Sequence, residues 1–260
     1  MDFGLKNKLA LITASTGGIG LEIARSLARE GARVIINGRN QSSVDIAIQA
    51  IKAEQPDALL LPLASDNGTA LGTQETITQF PQVDILVNNL GIYEFVGFFE
   101  ETDGDWLRLF EVNVLSGVRL SRHYLRHMLD NKSGRILFMS SEQALNPWLR
   151  IPHYIATKAM QLSIAQSLAE LTKGTSVTVN AVLPGTTRSD GVRKLVKKLY
   201  PELSLEEAER RFLLDNRRKA SPDDLLDPKE IASLVVFLCS ARASSINGAS
   251  YRADGNVIGA

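Results

Sequence analysis

What the sequence lacks excludes several classes of protein. It has a single cysteine, Cys239, so no internal disulfide can form, and we interpret this residue as part of an apolar core. No run approaches the roughly 18 apolar residues of a membrane-spanning helix, and the charged segment Met1–Lys8 lacks the apolar stretch of a signal peptide. We therefore expect a protein of the reducing cytoplasm with no membrane partner.

Charge of one sign is not in excess either. The 29 Lys and Arg residues balance 29 Asp and Glu residues, which gives a formal net charge of zero. Proteins that bind nucleic acids or anionic surfaces usually carry an excess of positive charge. The composition therefore offers no electrostatic case for a nucleic-acid partner, and a small molecule is the expected ligand.

Short apolar runs alternate with helical patterns along the 260 residues. Continuous Val, Ile and Leu is typical of parallel strands that helices cover on both faces. The runs are Leu9–Ile12, Val34–Ile36, Leu59–Leu61, Ile85–Val87, Ile136–Met139 and Val177–Val182. This alternation predicts an α/β fold with right-handed crossovers and a doubly wound parallel sheet. Because no repeat or linker divides the chain, we expect residues 1–260 to form a single domain.

Residues 186–228 depart from this alternation. The segment is dense in charge and helical in pattern, and Ser204 with Glu207 forms a capping-box signature. Asp227-Pro228 with Glu230 marks the start of the next helix. The insertion is either a cover over a binding cleft or a solvated helical pair. We favour the cover, because elements that close over ligands lie beside the carboxyl ends of strands.

A glycine-rich turn, Thr13–Gly20, follows the first strand directly and opens a helix. Glycines in such a turn let the backbone approach a pyrophosphate at the positive N-terminus of the helix. The strand–turn–helix context is the one that this mechanism requires. We therefore predict a dinucleotide site at this turn, formed by Ser15, Gly18, Ile19 and Gly20.

The end of the second strand indicates which dinucleotide is bound. NAD sites usually present an acidic side chain there to hold the ribose 2′-hydroxyl. In this sequence Gly38 has no side chain and Arg39 supplies a cation that could clamp a 2′-phosphate. We therefore predict NADP(H) rather than NAD(H). The alternative is that Arg39 is an ordinary solvated arginine of a loop.

Polar and glycine residues also follow the fourth and sixth strands. Asn89 could bridge strands through its amide, and Gly91 permits the close approach of a flat ring. Asn113, within a helical pattern, is either a satisfied structural amide or the holder of a water on a proton path. After the sixth strand, a turn offers backbone and hydroxyl groups at the same edge of the sheet, through Pro184, Gly185, Thr186 and Ser189.

The chemistry is predicted to centre on Tyr154 and Lys158, one helical turn apart. A phenol is a poor acid or base at neutral pH, but an adjacent ammonium favours the phenolate and lowers its pKa. Ser141 follows the apolar run Ile136–Met139 and could hold a substrate oxygen against the phenol. These groups could transfer a proton to a carbonyl or from an alcohol. The alternative is a surface pair on an amphipathic helix.

These motifs together resemble those of the short-chain dehydrogenase/reductase family, in order and spacing, over essentially the whole chain. The resemblance implies a Rossmann-type sheet of about seven strands. It implies an oxidoreductase that transfers hydride between a nicotinamide cofactor and a carbonyl or secondary alcohol. It also implies a homodimer or homotetramer, paired through helices that contain residues 105–130 and 153–172.

The resemblance further implies that the catalytic residues are Asn113, Ser141, Tyr154 and Lys158. Tyr154 would be the general acid/base, and Ser141 would orient the substrate oxygen. Lys158 would hold the nicotinamide ribose and lower the pKa of Tyr154, while Asn113 would anchor a relay water. Ser189 falls where the family has a threonine that contacts the carboxamide.

Some positions depart from the family pattern. Ala14 replaces the first glycine of the turn, and Leu90 replaces an alanine. Pro62 is expected at the position of an aspartate that follows the third strand and contacts adenine. Gly17 stands where many NADP-using members carry a basic residue, so the NADP(H) prediction depends on Arg39 alone.

The substrate is predicted only in outline. The loops expected to border the pocket contain Tyr93, Phe95, Phe98 and Phe99, then Leu145, Trp148 and Arg150. An apolar or cyclic ketone would suit them, with Arg150 meeting an acid group, and an acyl-carrier-linked 3-oxo compound is a further alternative. Equally, the aromatic residues could simply pack beneath loops.

Two other classes of function compete with this reading. One is a catalytically silent NADP-binding sensor or scaffold on the same fold. The other is a metal enzyme, since His123 and His127 have ligand spacing on a helix. The residues between them, Tyr124-Leu125-Arg126, lack the glutamate of a zinc-protease helix. We therefore predict no metal and interpret the histidines as a helix face or a subunit contact.

Overall fold

The computed structural model describes residues 2–147, 151–216 and 225–255, and it confirms the doubly wound α/β fold in a single domain. Seven parallel strands lie in the order β3-β2-β1-β4-β5-β6-β7. The strands are Leu9–Ile12 (β1), Arg33–Gly38 (β2), Leu60–Ala64 (β3), Ile85–Asn88 (β4), Ser133–Met139 (β5), Ser176–Pro184 (β6) and Ser250–Ala253 (β7). The order reverses between β1 and β4, and at such a point the carboxyl ends of the strands open a crevice.

Helices cover both faces of this sheet. They are Gly18–Arg29 (α1), Gln41–Glu54 (α2), Ala70–Gln79 (α3), Asp103–Phe110 (α4), Ser116–Asp130 (α5), Pro152–Glu170 (α6), Asp190–Leu199 (α7), Leu205–Asn216 (α8) and Pro228–Cys239 (α9). A π-helical turn, Glu111–Leu115, joins α4 to α5, and 3₁₀ turns span Glu142–Ala144 and Ala241–Ala243. Apolar residues of α1, α2 and α9 pack on one face, and those of α3, α5 and α6 on the other.

The apolar runs of the sequence follow from this double covering. In β1, Ala10 and Ile12 belong to the core beneath α1, whereas Leu11 belongs to the core on the opposite face. Both sets are inaccessible to solvent. Because successive side chains of a strand point to opposite faces, a strand covered on both sides must be apolar at every position.

Local signals set several helix boundaries as predicted. Gly31, just beyond α1, has a φ of 79°, a conformation that side chains disfavour. Asp227 and Glu230 form a capping box at the start of α9. At the start of α8, Glu207 accepts from the backbone N–H of Ser204, and Ser204 Oγ accepts in return from that of Glu207. These reciprocal bonds satisfy N–H groups that a helix start leaves unpaired.

The expectation that Pro62 directly follows the third strand is wrong. Pro62 lies inside β3, opposite Ile36, and the strand continues to Ala64. A proline is tolerated there because β3 is an edge strand, where one N–H need not join the ladder. The first carboxylate after the strand is Asp66, whose Oδ1 accepts from the backbone N–H of Gly68 at 3.0 Å.

The helical insertion has a small core of its own. Val196 of α7 and Ala208 and Phe212 of α8 are buried together, and Phe95 from the loop after β4 packs against them. At the base of the insertion, Thr187 and Leu226 form a parallel bridge. The helical pair therefore leaves the sheet and returns to it at one point, beyond the carboxyl end of β6.

Within the described ranges, no helix is long and apolar enough to cross a membrane, and no group of three or more potential ligands could hold a metal ion.

The two histidines and the cysteine discussed from the sequence lie on helices α5 and α9. His123 Nε2 lies 2.8 Å from the carbonyl oxygen of Pro81, and its ring is 4.9 Å from that of His127. Cys239 is buried in α9, and this burial raises the pKa of its thiol to about 12.

Thr13 ties the carboxyl ends of β1 and β4 together, since its Oγ1 accepts from the backbone N–H groups of Asn89 and Leu90, both at 2.9 Å. We expect Thr13→Val, which keeps the shape and removes this acceptor, to lower the free energy of unfolding by about 1–3 kcal/mol in urea titrations. Thr78→Val, the same change at an exposed position of α3, is the control and should be nearly neutral. Equal stability of the two variants would contradict this role for Thr13.

Candidate active site

A cavity of about 210 Å³ opens at the carboxyl ends of the central strands. Of the predicted site residues, it is lined by Ile19, Asn89, Gly91, Ser141, Tyr154, Lys158, Pro184, Gly185, Thr186 and Ser189. A second pocket shares Ile19, Asn89 and Ser189 with it and extends the cleft to Gly18 and Gly20. The fold thus brings segments that are distant in sequence to one edge of the sheet.

Tyr154 lies in this cleft on the first turns of α6, and it lines the cavity together with Ser141. The ring of Tyr93 packs edge-on against it, with centroids 6.1 Å apart. Burial, and secondarily the negative charge of Glu142, raise the pKa of Tyr154, although the nearby Ser141 hydroxyl acts in the opposite direction. The expected lowering of this pKa by Lys158 is therefore not found. Desolvation is the largest cause, and it favours the protonated phenol.

Lys158 is buried one turn further along α6. Its Nζ donates to the carbonyl oxygen of Met139 at 2.8 Å, lies 3.4 Å from Gln161 Oε1, and is 5.6 Å from the centroid of the Tyr154 ring. Burial lowers the pKa of Lys158 to about 8. A Cβ at Gly91 would lie 3.2 Å from Nζ, so glycine leaves the ammonium accessible from the cleft.

Asn113 lies in the π-helical turn behind Lys158 and does not line the cavity. Its Oδ1 accepts from the N–H of Ile92 at 2.7 Å, and its Nδ2 donates to the Ile92 carbonyl and to Thr157 Oγ1. Its backbone carbonyl accepts from Gln161 Nε2 at 2.6 Å. These contacts are those of a satisfied structural amide, one of the two alternatives given for Asn113. Its role as the holder of a water on a proton path stays a prediction.

Gln161 is a residue that sequence reasoning missed. It lies three residues after Lys158 on the same face of α6, and its amide connects Lys158 to Asn113. The spacing itself was a usable signal, because a polar residue at that spacing on a buried helix face needs partners.

The nucleotide turn is compact because two glycines permit it. Gly18 has a φ of 54°, and a Cβ at Gly20 would lie 2.5 Å from Asn89 Nδ2 and 2.6 Å from the Ala14 carbonyl. Asn89 Nδ2 donates to the carbonyl oxygens of Thr13 and Ala14, at 2.9 and 3.2 Å. The side chain of Asn89 therefore bridges β4 to the turn, as its position in the sequence suggested.

Two predicted cofactor residues lie outside both pockets. Ser15 is fully buried, and its Oγ accepts from the backbone N–H of Asn37 at 2.9 Å. That side chain thus joins the turn to β2. Arg39 is exposed just beyond the end of β2. At Gly38, a Cβ would lie 2.6 Å from Thr16 Cγ2, so an acidic side chain at this position would displace Thr16.

The insertion reaches the nucleotide turn through its first residues. Ser189 caps α7, its Oγ accepting from the N–H of Val192 at 3.2 Å, and a Cβ at Gly18 would lie 3.5 Å from Ser189 Cβ. Val192 and Leu195 of α7 and Phe212 of α8 line the cavity together with the strand ends. The helical pair therefore forms one wall of the cleft.

Two further residues missed by sequence reasoning, Glu142 and Gln143, follow Ser141 directly. Both line the cavity and are buried, at 2% and 8% exposure. Ser141 Oγ donates to Glu142 Oε2 at 2.8 Å and accepts from the N–H of Gln143 at 3.2 Å. Their position directly after the predicted catalytic serine was the available signal.

The aromatic residues predicted to border the pocket separate into two groups. Tyr93 and Phe95 line the cavity, whereas Phe98 and Phe99 are exposed, at 61% and 93%. Leu145 is also exposed. The other two residues of the prediction, Trp148 and Arg150, lie outside the described residues.

Comparison with known proteins agrees with this geometry. The model of the short chain dehydrogenase family matches residues 8–199 of the chain. The chain is 50% identical over 260 residues to the uncharacterized oxidoreductase YvaG of Bacillus subtilis, which covers 99% of this chain and 98% of the relative. It is 30% identical to dehydrogenase/reductase SDR family member 4 of Homo sapiens over 94% of this chain and 85% of the relative.

Solved structures show the same fold over the whole chain. L-sorbose reductase from Gluconobacter frateurii, complexed with NADPH and L-sorbose, superposes with a TM-score of 0.91 at 29% identity, covering 100% of both chains. Actinorhodin polyketide ketoreductase with NADPH gives 0.87 at 26% identity, covering 98% of each. The chain belongs to the short-chain dehydrogenase/reductase family of oxidoreductases.

Proposed function

We propose that this protein is an NADP(H)-dependent reductase that transfers hydride to a carbonyl compound, or from the corresponding secondary alcohol in reverse. The observation that carries the proposal is that Tyr154, Ser141 and Lys158, which is one turn along the helix from Tyr154, line one cavity at the switch point of the sheet. Assembly as a homodimer or homotetramer and a cytoplasmic location remain predictions from the sequence.

The cleft suits a dinucleotide because the start of α1 is uncapped. Gly17 is the N-cap of this helix, and no side chain accepts from its first N–H groups. Gly20 lets the turn pack closely, since a Cβ there would lie 2.6 Å from the Ala14 carbonyl oxygen. Such N–H groups at a helix N-terminus bind phosphate. Beyond the turn, Asn89, Gly91, Lys158 and the segment Pro184–Ser189 would hold the nicotinamide end.

NADP(H) is proposed over NAD(H) from the end of β2. Gly38 leaves no room for the acid that usually holds a ribose 2′-hydroxyl, and the exposed cation of Arg39 is adjacent to it. Two of the similar structures contain NADPH, which supports the same choice.

The protein would supply positioning and the proton. Tyr154, kept protonated by burial, would donate its proton to the carbonyl oxygen, and Ser141 would fix that oxygen beside it. Lys158 would hold the ribose hydroxyls of the nucleotide. NADPH, when bound, supplies the hydride. Helices α7 and α8 would cover the cleft and exclude water, because their apolar residues form its wall.

Tyr154→Phe removes the proposed acid and preserves the ring. We expect the reduction rate to fall by about 10²–10⁴-fold while the Kd for NADPH changes little. Loss of NADPH absorbance with a panel of ketones and aldehydes measures the rate, and fluorescence titration measures the Kd. A variant with the wild-type rate would contradict the role of Tyr154. A wild-type protein that binds NADPH and reduces nothing would favour the silent alternative.

Gly20 of the turn and Gly104 of α4 give a matched pair for cofactor binding. Gly20→Ala places a methyl group 2.5 Å from Asn89 Nδ2, whereas Gly104→Ala, at an exposed position away from the cleft, meets only Thr102 Oγ1 at 3.5 Å. We expect Gly20→Ala to raise the Kd for NADPH at least about tenfold, because the turn must open. Gly104→Ala should bind as the wild type does. Equal affinities would exclude this turn as the phosphate site.

The lowered pKa of Lys158 predicts a pH dependence of cofactor binding. Lys158 is cationic below a pH of about 8 and loses its charge as the pH rises through that value. We expect the affinity for NADPH to weaken above pH 8, by up to about tenfold per pH unit. Lys158→Met should bind weakly and without this step, and Lys52→Met, at an exposed lysine, should retain it. A step that persists in Lys158→Met would assign it to another group.

A further inference from the structure

A buried carboxylate stands beside the reacting groups of the cleft. Glu142 is 2% exposed, lines the same cavity as Ser141 and Tyr154, and accepts from Ser141 Oγ at 2.8 Å. The mechanism proposed above does not use it. Burying a carboxylate costs free energy, so a buried carboxylate in the wall of a binding cleft indicates a functional role.

We propose that Glu142 makes this site selective for hydroxy ketones, by accepting a hydrogen bond from a hydroxyl group on the carbon next to the carbonyl. The inference rests on the proposed function and names the substrate class of the same site. Glu142 is thus a specificity-determining residue that touches the substrate, and Tyr154 and Ser141 keep their roles.

The geometry supports this pairing of groups. The two oxygens of an α-hydroxy ketone lie about one hydrogen-bond length apart. Ser141 Oγ and Glu142 Oε2 are separated by the same length, 2.8 Å. When a carbonyl oxygen binds, the Ser141 hydroxyl turns its single proton from Glu142 Oε2 to that oxygen, which Tyr154 also bonds. The adjacent hydroxyl of the substrate then lies near Glu142 Oε2 and donates to it in place of Ser141. An ionised carboxylate has about four acceptor positions, so it can receive this bond in addition to those that it already has.

A second acceptor lies in the same wall. Gln143 lines the cavity at 8% exposure, and its Oε1 is buried without a hydrogen-bond partner in the described part of the chain. Buried amide oxygens are normally satisfied. A small rotation of the Gln143 side chain toward the cavity would let this oxygen accept from a second hydroxyl group of the substrate.

Charge excludes the competing substrates. A buried carboxylate repels compounds that carry an anionic group next to the carbonyl, such as 2-keto acids. The same negative charge helps to raise the pKa of Tyr154, so it also favours the protonated acid. Neutral hydroxy ketones are the carbonyl compounds that gain from both effects.

The test compares two substrates that differ by one hydroxyl group, 3-hydroxy-2-butanone and 2-butanone, with NADPH. We expect the wild-type kcat/KM to be at least 100-fold higher for the hydroxy ketone, because a site built to bond a hydroxyl rejects the analogue that lacks it. Glu142→Gln should lower the ratio of the two kcat/KM values at least tenfold, the size of a charge-assisted hydrogen bond. A general loss of catalysis cancels in this ratio.

The controls separate recognition from a structural effect. Glu202→Gln makes the same chemical change on an exposed turn and should leave the ratio within twofold of wild type. Glu142→Asp keeps the charge and should retain most of the preference, whereas Glu142→Ala, which removes the carboxylate, replaces Glu142→Gln if that variant does not fold. A wild-type enzyme that reduces both ketones equally, or a ratio unchanged in the variant that lacks the carboxylate, would overturn the inference and leave the proposed function intact. Failure to reduce any carbonyl compound would overturn both.

Discussion

The site depends on how α6 is fixed to the end of β5. Ser140 Oγ donates to the backbone carbonyl of Lys158, and Lys158 Nζ donates to the carbonyl of Met139, both at 2.8 Å and both buried. These two bonds set the register between the strand end, which carries Ser141, and the helix turn that carries Tyr154. A helix displaced by one residue would lose both bonds and turn the phenol away from the serine. Packing alone, which is non-directional, does not specify a register this closely.

Around this contact, the buried side chains are polar and form a network of hydrogen bonds instead of an apolar core. Lys158, Gln161, Asn113 and Thr157 are all buried, and hydrogen bonds connect each of them to the next. The π-helical turn places Asn113 where its side chain holds the backbone of Ile92, at the start of the loop that borders the cleft. Buried networks of this kind are costly when incomplete, so each member constrains its neighbours.

The sequence was sufficient for those features that are local or repeated. Continuous apolar runs located six of the seven strands, and capping residues located the starts of α8 and α9, because each reflects chemistry within a few residues. No apolar run marked β7, whose residues Ser250–Ala253 are partly exposed. Pro62 was misplaced because only the sheet order reveals that β3 is an edge strand. Ser15 belonged to the right turn, but its side chain bonds Asn37 of β2, a contact that no spacing encodes. The family pattern located the site, and it carried no information on Gln161.

The direction in which the pKa of Tyr154 shifts shows that burial sets the protonation state of this side chain. An ammonium near a phenol lowers its pKa in water, and the spacing of Tyr154 and Lys158 made that the expected effect. In the folded protein Lys158 is buried and Tyr154 is half-buried. Desolvation moves each group toward its neutral form, raising the pKa of Tyr154 and lowering that of Lys158. The phenol is therefore held protonated, which is the form in which the proposed mechanism uses it. The negative charge of Glu142 acts in the same direction, so the residue that we propose to select the substrate also favours the protonated form of the proposed acid.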